Sequence, residues 1–172
     1  MPTLRHATHA TVPPLVNDYS HTLVLGTMLS PKSAEEQFYY AHPQNRFWRT
    51  LAEVFAYPYP VSVDEKRKLA LDNGIALWDV LQSCDILGAA DGTIKNPICN
   101  DVVNFLSEHR NITRIFTTGK KAAELLKKYN ATHGNHIIAN AVCLPSPSPL
   151  NCAIKLDELI KSYSVLKIRP NA

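Results

Sequence analysis

Apolar residues in this chain fall into short unbroken runs separated by stretches with helical spacing. Thr22 to Thr27 contains Leu23-Val24-Leu25 and ends near Gly26, the pattern of a buried parallel strand running into a tight turn. Ile75 to Leu81 (IALWDVL), Arg114 to Thr118 (RIFTT) and Asn140 to Leu144 (NAVCL) read as three further strands. The spacing predicts a helix from Asn45 to Ala56, with Phe47, Leu51, Val54 and Phe55 on one face, halted by Tyr57-Pro58-Tyr59-Pro60. A charged helix follows from Ser62 to Asn73, with Asp64 and Glu65 in its first turn and Gly74 at its end. Asn100 to His109, the KKAAELLKKY run after Gly119, and Asn151 to Ser164 complete the helices, while Ser33 begins a single turn over SAEEQ. Ser83-Cys84-Asp85 and the AADGTIKNP stretch read as loop.

Such alternation predicts a parallel sheet with helices on both faces, an α/β fold in one domain over residues 1–172. Residues 1–20 are expected to be a loosely ordered N-terminal segment, mobile or at an edge. The HATH spacing of His6 and His9 is compatible with a metal but reads better as part of that segment. Pro13-Pro14 argues against a long helix there.

Composition narrows the picture modestly. An apolar content of 45% excludes a disordered chain, and 172 residues suffice for a proper core. A net charge of +3 is compatible with a phosphate backbone as partner without pointing to one. The four cysteines, Cys84, Cys99, Cys143 and Cys152, form no CxxC pair, so neither a zinc ribbon nor a closely spaced iron–sulfur ligand set is expected. With no signal peptide and no long apolar run, a cytoplasmic protein with reduced thiols is expected, with no membrane association.

In open α/β sheets, ligands bind beyond the carboxyl ends of the strands. Four segments meet there: GTMLS after the first strand, YYAHPQN beyond it, TTGKK after the third strand and LPSPSP after the fourth. GTMLSPKS lacks the second glycine and the GK[ST] ending of a P-loop. Gly119-Lys120 at a helix start offers backbone N–H groups to an anion, though a plain strand-to-helix turn is the better reading of it alone. The PSPSP prolines stiffen their loop, as a projecting wedge or as a connector. Tyr39, Tyr40, His42, Asn45, Phe47 and Trp48 crowd one loop, suited either to a ligand site or to packing against the sheet, with Asn45 as a helix cap.

Taken together, LVLGT, YYAHPQNRFW, IFTTGKKA and CLPSPSP resemble the uracil-DNA glycosylase superfamily, and most closely its hypoxanthine-DNA (deoxyinosine) glycosylase branch. The resemblance spans about residues 20 to 165, with YYAHPQNRFW its most specific part. A similar AHP-x-NRFW string also occurs in the mismatch-specific uracil and thymine glycosylase branch. The resemblance implies a three-layer α/β/α fold around a four-stranded parallel sheet. It implies a monofunctional glycosylase, needing no metal or organic cofactor, that flips a base from DNA and hydrolyses its bond to the sugar. A monomer acting on DNA that contains deaminated bases is expected.

The mismatch-specific branch carries Gly-x-Asn-Pro-Gly in its first motif, where the Asn positions the water. Here the string is Gly26-Thr27-Met28-Leu29-Ser30, and the Met28 thioether cannot orient water as an amide does. The loss argues against ordinary uracil removal and is itself a mark of the hypoxanthine branch. Asn45 is therefore expected to hold the nucleophilic water, with His42 either contacting phosphate or the departing base, or serving as a structural histidine beside Pro43. Gly26, Thr27, Met28, Tyr40 and Phe47 are expected around the base, Tyr40 stacked upon it. Ser146, Pro147 and Ser148 match the loop that enters the minor groove, where no large side chain follows until Leu150. Ser30, Ser33, Gly119 and Lys120 are expected to contact the DNA backbone. The rival readings are uracil or mismatch-specific excision, and an inert nucleic-acid-binding domain of the same fold.

Overall fold

The computed structural model describes residues 3–170. In chain order its strands are β1 (Leu4–Thr8), β2 (Thr22–Gly26), β3 (Ile75–Asp79), β4 (Leu81–Leu87), β5 (Lys95–Cys99), β6 (Arg114–Thr118) and β7 (Val142–Leu144). Its helices are α1 (Pro31–Glu36), α2 (Phe47–Val54), α3 (Val63–Asp72), α4 (Val102–Glu108), α5 (Lys120–Asn130), α6 (His136–Ala139) and α7 (Leu156–Tyr163).

The four strands expected from the apolar runs form one parallel sheet in the order β3-β2-β6-β7. Every residue of β2 is buried, because both faces of this sheet are covered. Val24, Leu77 and Phe116 face one core, which α2, α3 and α7 close. Leu23, Leu25, Ala76 and Ile115 face the other, closed by α4, α5 and a second sheet. The period-two alternation of strand side chains thus sorts a single apolar run between two layers. Each fully buried leucine contributes about 1.5–3 kcal/mol of hydrophobic stabilisation.

The second sheet was not expected. It is antiparallel, in the order β1-β4-β5, and uses residues read above as N-terminal segment and as loop. Its centre strand β4 buries Leu81, Cys84 and Ile86; β1 and β5 at the edges are mostly exposed and carry little apolar signal. The N-terminal segment is therefore held as an edge strand. Arg5 ties it to the loops after β2 and β4, donating from its guanidinium to the carbonyls of Leu29 (2.8 Å) and Gly88 (3.1 Å). The two histidines of HATH diverge, His6 to Asp85 and His9 to Asp79, and do not converge on one point.

Several boundaries also shift. The strand from Ile75 ends at Asp79, and Leu81 already belongs to β4. Helix α1 begins at Pro31 with Ser30 as its cap, rather than at Ser33. The last helix begins at Leu156, because the chain from Asn151 to Lys155 stays irregular.

Candidate active site

The carboxyl ends of β2, β3 and β6 lie side by side and end on Gly26, Asp79 and Thr118. These three residues line a cavity of about 300 Å³, with Thr27, Met28, Ser30, Tyr40, Asn45, Asp91, Ser146, Pro147 and Ser148 also in its walls. Gly26 is required for close approach. A Cβ at this position would run into Asp79 Oδ1 and lie 3.2 Å from Tyr40 Oη and 3.5 Å from Thr118 Oγ1.

Tyr40 is held at φ +52°, a left-handed conformation uncommon for a tyrosine. One face of its ring stacks on Phe47 at 3.9 Å between centroids and 14° between planes. Its hydroxyl lies 3.0 Å from Thr118 Oγ1, and burial keeps the phenol protonated well above its ordinary range. Phe47 itself is fully buried and does not line the cavity, contrary to expectation. Its contribution is to fix the plane of Tyr40. Of the tyrosine pair, Tyr39 is the core residue, with its hydroxyl donating to the Pro13 carbonyl at 2.8 Å.

The cap position of α2 falls at Arg46, so Asn45 stands one residue before it, as a cavity residue rather than the cap. Its Oδ1 accepts from the Phe47 N–H at 2.9 Å, covering a free donor at the start of α2. That bond sets the orientation of the amide and leaves a second Oδ1 lone pair and the Nδ2 group available at the cavity. His42 does not line the cavity; its Nδ1 accepts from the Gln44 N–H at 3.1 Å within the turn that carries Asn45. The structural-histidine reading describes that contact.

The PSPSP loop is tied down from several sides. Arg46 sends its backbone N–H to the Pro147 carbonyl (3.1 Å). Its guanidinium donates to the carbonyls of Ile154, Ser148 and Asn151. Tyr163 Oη donates to the Pro145 carbonyl at 2.7 Å and Asn151 Nδ2 to that of Ser146 at 3.0 Å. Pro147 is buried, so it is not a projecting wedge. The exposed apolar side chain at this rim is Leu150, 65% accessible.

The expected backbone contacts fare differently. Lys120 is exposed at the start of α5, while Gly119 is buried at φ +100°, with Ser146 Cβ 3.2 Å from where its own Cβ would stand. Gly119 thus permits close packing of the PSPSP loop rather than an approach to DNA. Ser33 is buried in the cavity wall, its Oγ accepting from Ala41 N–H and Ser30 Oγ. Ser30 caps α1 and remains half-buried at the cavity.

Two carboxylates in the cavity were missed. Asp79 is 4% accessible, and its Oδ2 lies 2.5 Å from Nε2 of buried His9, whose Nδ1 donates to the Val12 carbonyl at 3.1 Å. Burial opposes a charge on His9, but the Asp79 hydrogen bond and charge, with the Val12 carbonyl, outweigh it and raise the pKa above its ordinary value. Asp91 accepts from Thr27 Oγ1 at 2.9 Å, and burial pushes its carboxyl above the ordinary range against that hydrogen bond. Asp79 was legible by the strand-end rule that selected Gly26 and Gly119, had the strand not been carried on to Leu81. Nothing local marked Asp91 or His9.

The comparisons with known proteins agree with this arrangement. The profile of the Uracil DNA glycosylase superfamily matches residues 13–166. A protein of Methanosarcina barkeri named Hypoxanthine DNA glycosylase is 30% identical over 113 residues, covering 65% of this chain and 72% of that one. One of the same name from Methanosarcina acetivorans is 28% identical over 113 residues, with the same coverage. A solution NMR structure from Methanosarcina acetivorans, of a protein named for the uracil DNA glycosylases, superposes with a TM-score of 0.76 at 24% identity, over 95% of this chain and 100% of that one. The likeness extends to the parallel four-stranded sheet and the helices around it. The chain belongs to the uracil DNA glycosylase superfamily, and it is a DNA glycosylase, a hydrolase of base–sugar bonds.

Proposed function

We propose that this glycosylase removes hypoxanthine, the deamination product of adenine, from DNA. The observation that carries the proposal is the pairing of Met28 and Asn45 in one cavity. A thioether stands where the mismatch-specific branch keeps its water-holding Asn, while an amide from a different loop reaches the same space. The two Methanosarcina relatives named for hypoxanthine support the same reading.

In this reading the nucleotide leaves the duplex and its base enters the cavity, with the exposed face of Tyr40 beside it. Asn45, held by its bond to the Phe47 N–H, uses its remaining lone pair and Nδ2 group to place a water under the sugar. The C1′–N9 bond breaks with its electron pair leaving on the base. Water oxygen bonds to C1′ and the proton it loses passes to the departing base anion, giving an abasic site and free hypoxanthine. The cavity carboxylates favour the positive charge that develops on the sugar. Leu150 at the rim fills the space left in the stack, and Lys120 meets a phosphate.

The test is a cleavage panel on oligonucleotides carrying hypoxanthine, uracil, xanthine or thymine, run with wild type and Asn45→Ala. Preferential release of hypoxanthine, reduced at least about a hundredfold in Asn45→Ala, is expected. Preferential release of uracil would overturn the substrate assignment. Wild-type rates in Asn45→Ala would overturn the catalytic one, and no release by folded protein would leave a binding domain of this fold.

A further inference from the structure

Two loops far apart in sequence build the outer part of the cavity. One is the aromatic turn that carries Asn45; the other, after β7, supplies Ser146, Pro147, Ser148, Leu150 and Asn151. The bonds inside the second loop are local. Asn151 N–H donates to the Ser148 carbonyl at 3.0 Å, and Asn151 Nδ2 to that of Ser146. Tyr163 anchors only the start of the loop, at Pro145. From Asn151 to Lys155 the chain has neither helix nor sheet to hold it.

Every hydrogen bond between the two loops, among the described residues, comes from Arg46. Arg46 is the cap position of α2, so its backbone N–H is free to leave the helix, and it reaches the Pro147 carbonyl. Its guanidinium spreads over three more carbonyls: Nη2 meets Ser148 at 3.2 Å and Asn151 at 2.9 Å, and Nη1 meets Ile154. Among the described residues no carboxylate pairs with this cation. Its charge is given wholly to main-chain oxygens of a segment that has no other partner for them. A lysine ammonium, a point charge on a flexible stem, cannot span the same set.

Asn45 is oriented separately, by its bond to the Phe47 N–H. The Arg46 fork therefore does not set the amide. It sets the wall that stands beside the amide.

We propose that Arg46 is a positioning residue that locks the loop of residues 146–151 to the Asn45 turn, so that the cavity wall is in place before a nucleotide leaves the duplex. A preformed wall holds the flipped base without first being ordered itself. A loose loop loses chain entropy at that moment, and the base returns to its partner sooner. The role is in capture of the base, not in breakage of its bond to the sugar. It rests on the glycosylase activity and on entry of a flipped base into the cavity, but not on which deaminated base is released.

The experiment varies the cost of flipping within one duplex. Full-length wild type, Arg46→Lys and Asn45→Ala act on whichever deaminated base the wild type releases best. That base is placed opposite its preferred pairing partner or opposite a tetrahydrofuran residue, which leaves no pair to break. Single-turnover excision is followed together with the fluorescence of a neighbouring 2-aminopurine, which rises when the base beside it unstacks. Arg46→Lys is expected to slow excision of the paired base about tenfold or more, with a weakened fluorescence rise. Opposite tetrahydrofuran the loss is expected to stay below about threefold. Equal losses on the two duplexes, no loss on either, or slow excision with a full fluorescence rise would overturn the proposal.

The substrate and catalytic readings fail separately from this one. Best release of uracil removes the hypoxanthine assignment, and equal rates in wild type and Asn45→Ala remove the catalytic one; a loss in Arg46→Lys confined to the paired base supports the clamp in both cases. Should Arg46→Lys not fold, two glycines inserted between the exposed Cys152 and Ala153 draw the Ile154 carbonyl away from the fork. The same loss, confined to the paired base, is then expected. Excision unchanged, or equally reduced on the two duplexes, would overturn the proposal.

Discussion

The two sheets of this protein differ in how they are held and in what they bring to the cavity. The parallel sheet is covered on both faces, and Leu23, Val24 and Leu25 in β2 are wholly inaccessible. The antiparallel sheet has one apolar face and two exposed edge strands, with Leu4 60% and Ile98 57% accessible. The first sheet supplies Gly26, Asp79 and Thr118 for the cavity floor. The second holds the supports: His9 lies one residue beyond β1, and Asp91 lies in the link between β4 and β5. A strongly packed layer therefore carries the cavity floor, and a thinly packed one brings His9 and Asp91 to it.

If that contrast is right, equal truncations should have unequal effects. Leu23→Ala removes a wholly buried side chain between the sheet and the α4–α5 layer, with an expected loss of about 2–5 kcal/mol in denaturant unfolding. A smaller effect is expected from His9, visible as a dependence on pH. Its pKa is raised in the folded state above the ordinary 6.5, so the pair with Asp79 stabilises fully below pH 6.5 and loses that contribution as pH rises through the folded value. His9→Gln, measured by thermal unfolding across that window, should remove this part of the pH slope. A slope unchanged in the variant would detach the histidine from the effect. The smallest change is expected for Leu4→Ala on the edge of β1, within about 0.5 kcal/mol. A large loss there would mean that the antiparallel sheet is as tightly built as the parallel one.

The same contrast explains what could be read from the sequence. Unbroken runs such as Leu23-Val24-Leu25 arise because a doubly covered strand must be apolar at every position, and these runs revealed the parallel sheet. Strand β1, LRHAT, has one buried position in five, and β5, KNPIC, has none, so no period-two pattern survives to be seen. Residues of the site divide likewise. Asn45 and Tyr40 stood out in a dense local string, whereas the His9–Asp79 contact joins residues 70 positions apart and leaves no local trace. Phe47 was misjudged for a related reason. Its place in the string marked it as important, but only the fold reveals that it lies behind Tyr40 rather than against a ligand. Arg46, in the same string, clamps the PSPSP loop to the aromatic one, a role that only the fold reveals.

The most direct test of the account is a crystal structure of the chain with a duplex carrying 2′-fluoro-deoxyinosine. The account predicts the base flipped into the cavity beside Tyr40 and a water on Asn45 facing C1′. A base that remains stacked in the duplex, or a flipped base with its water held away from Asn45, would contradict it.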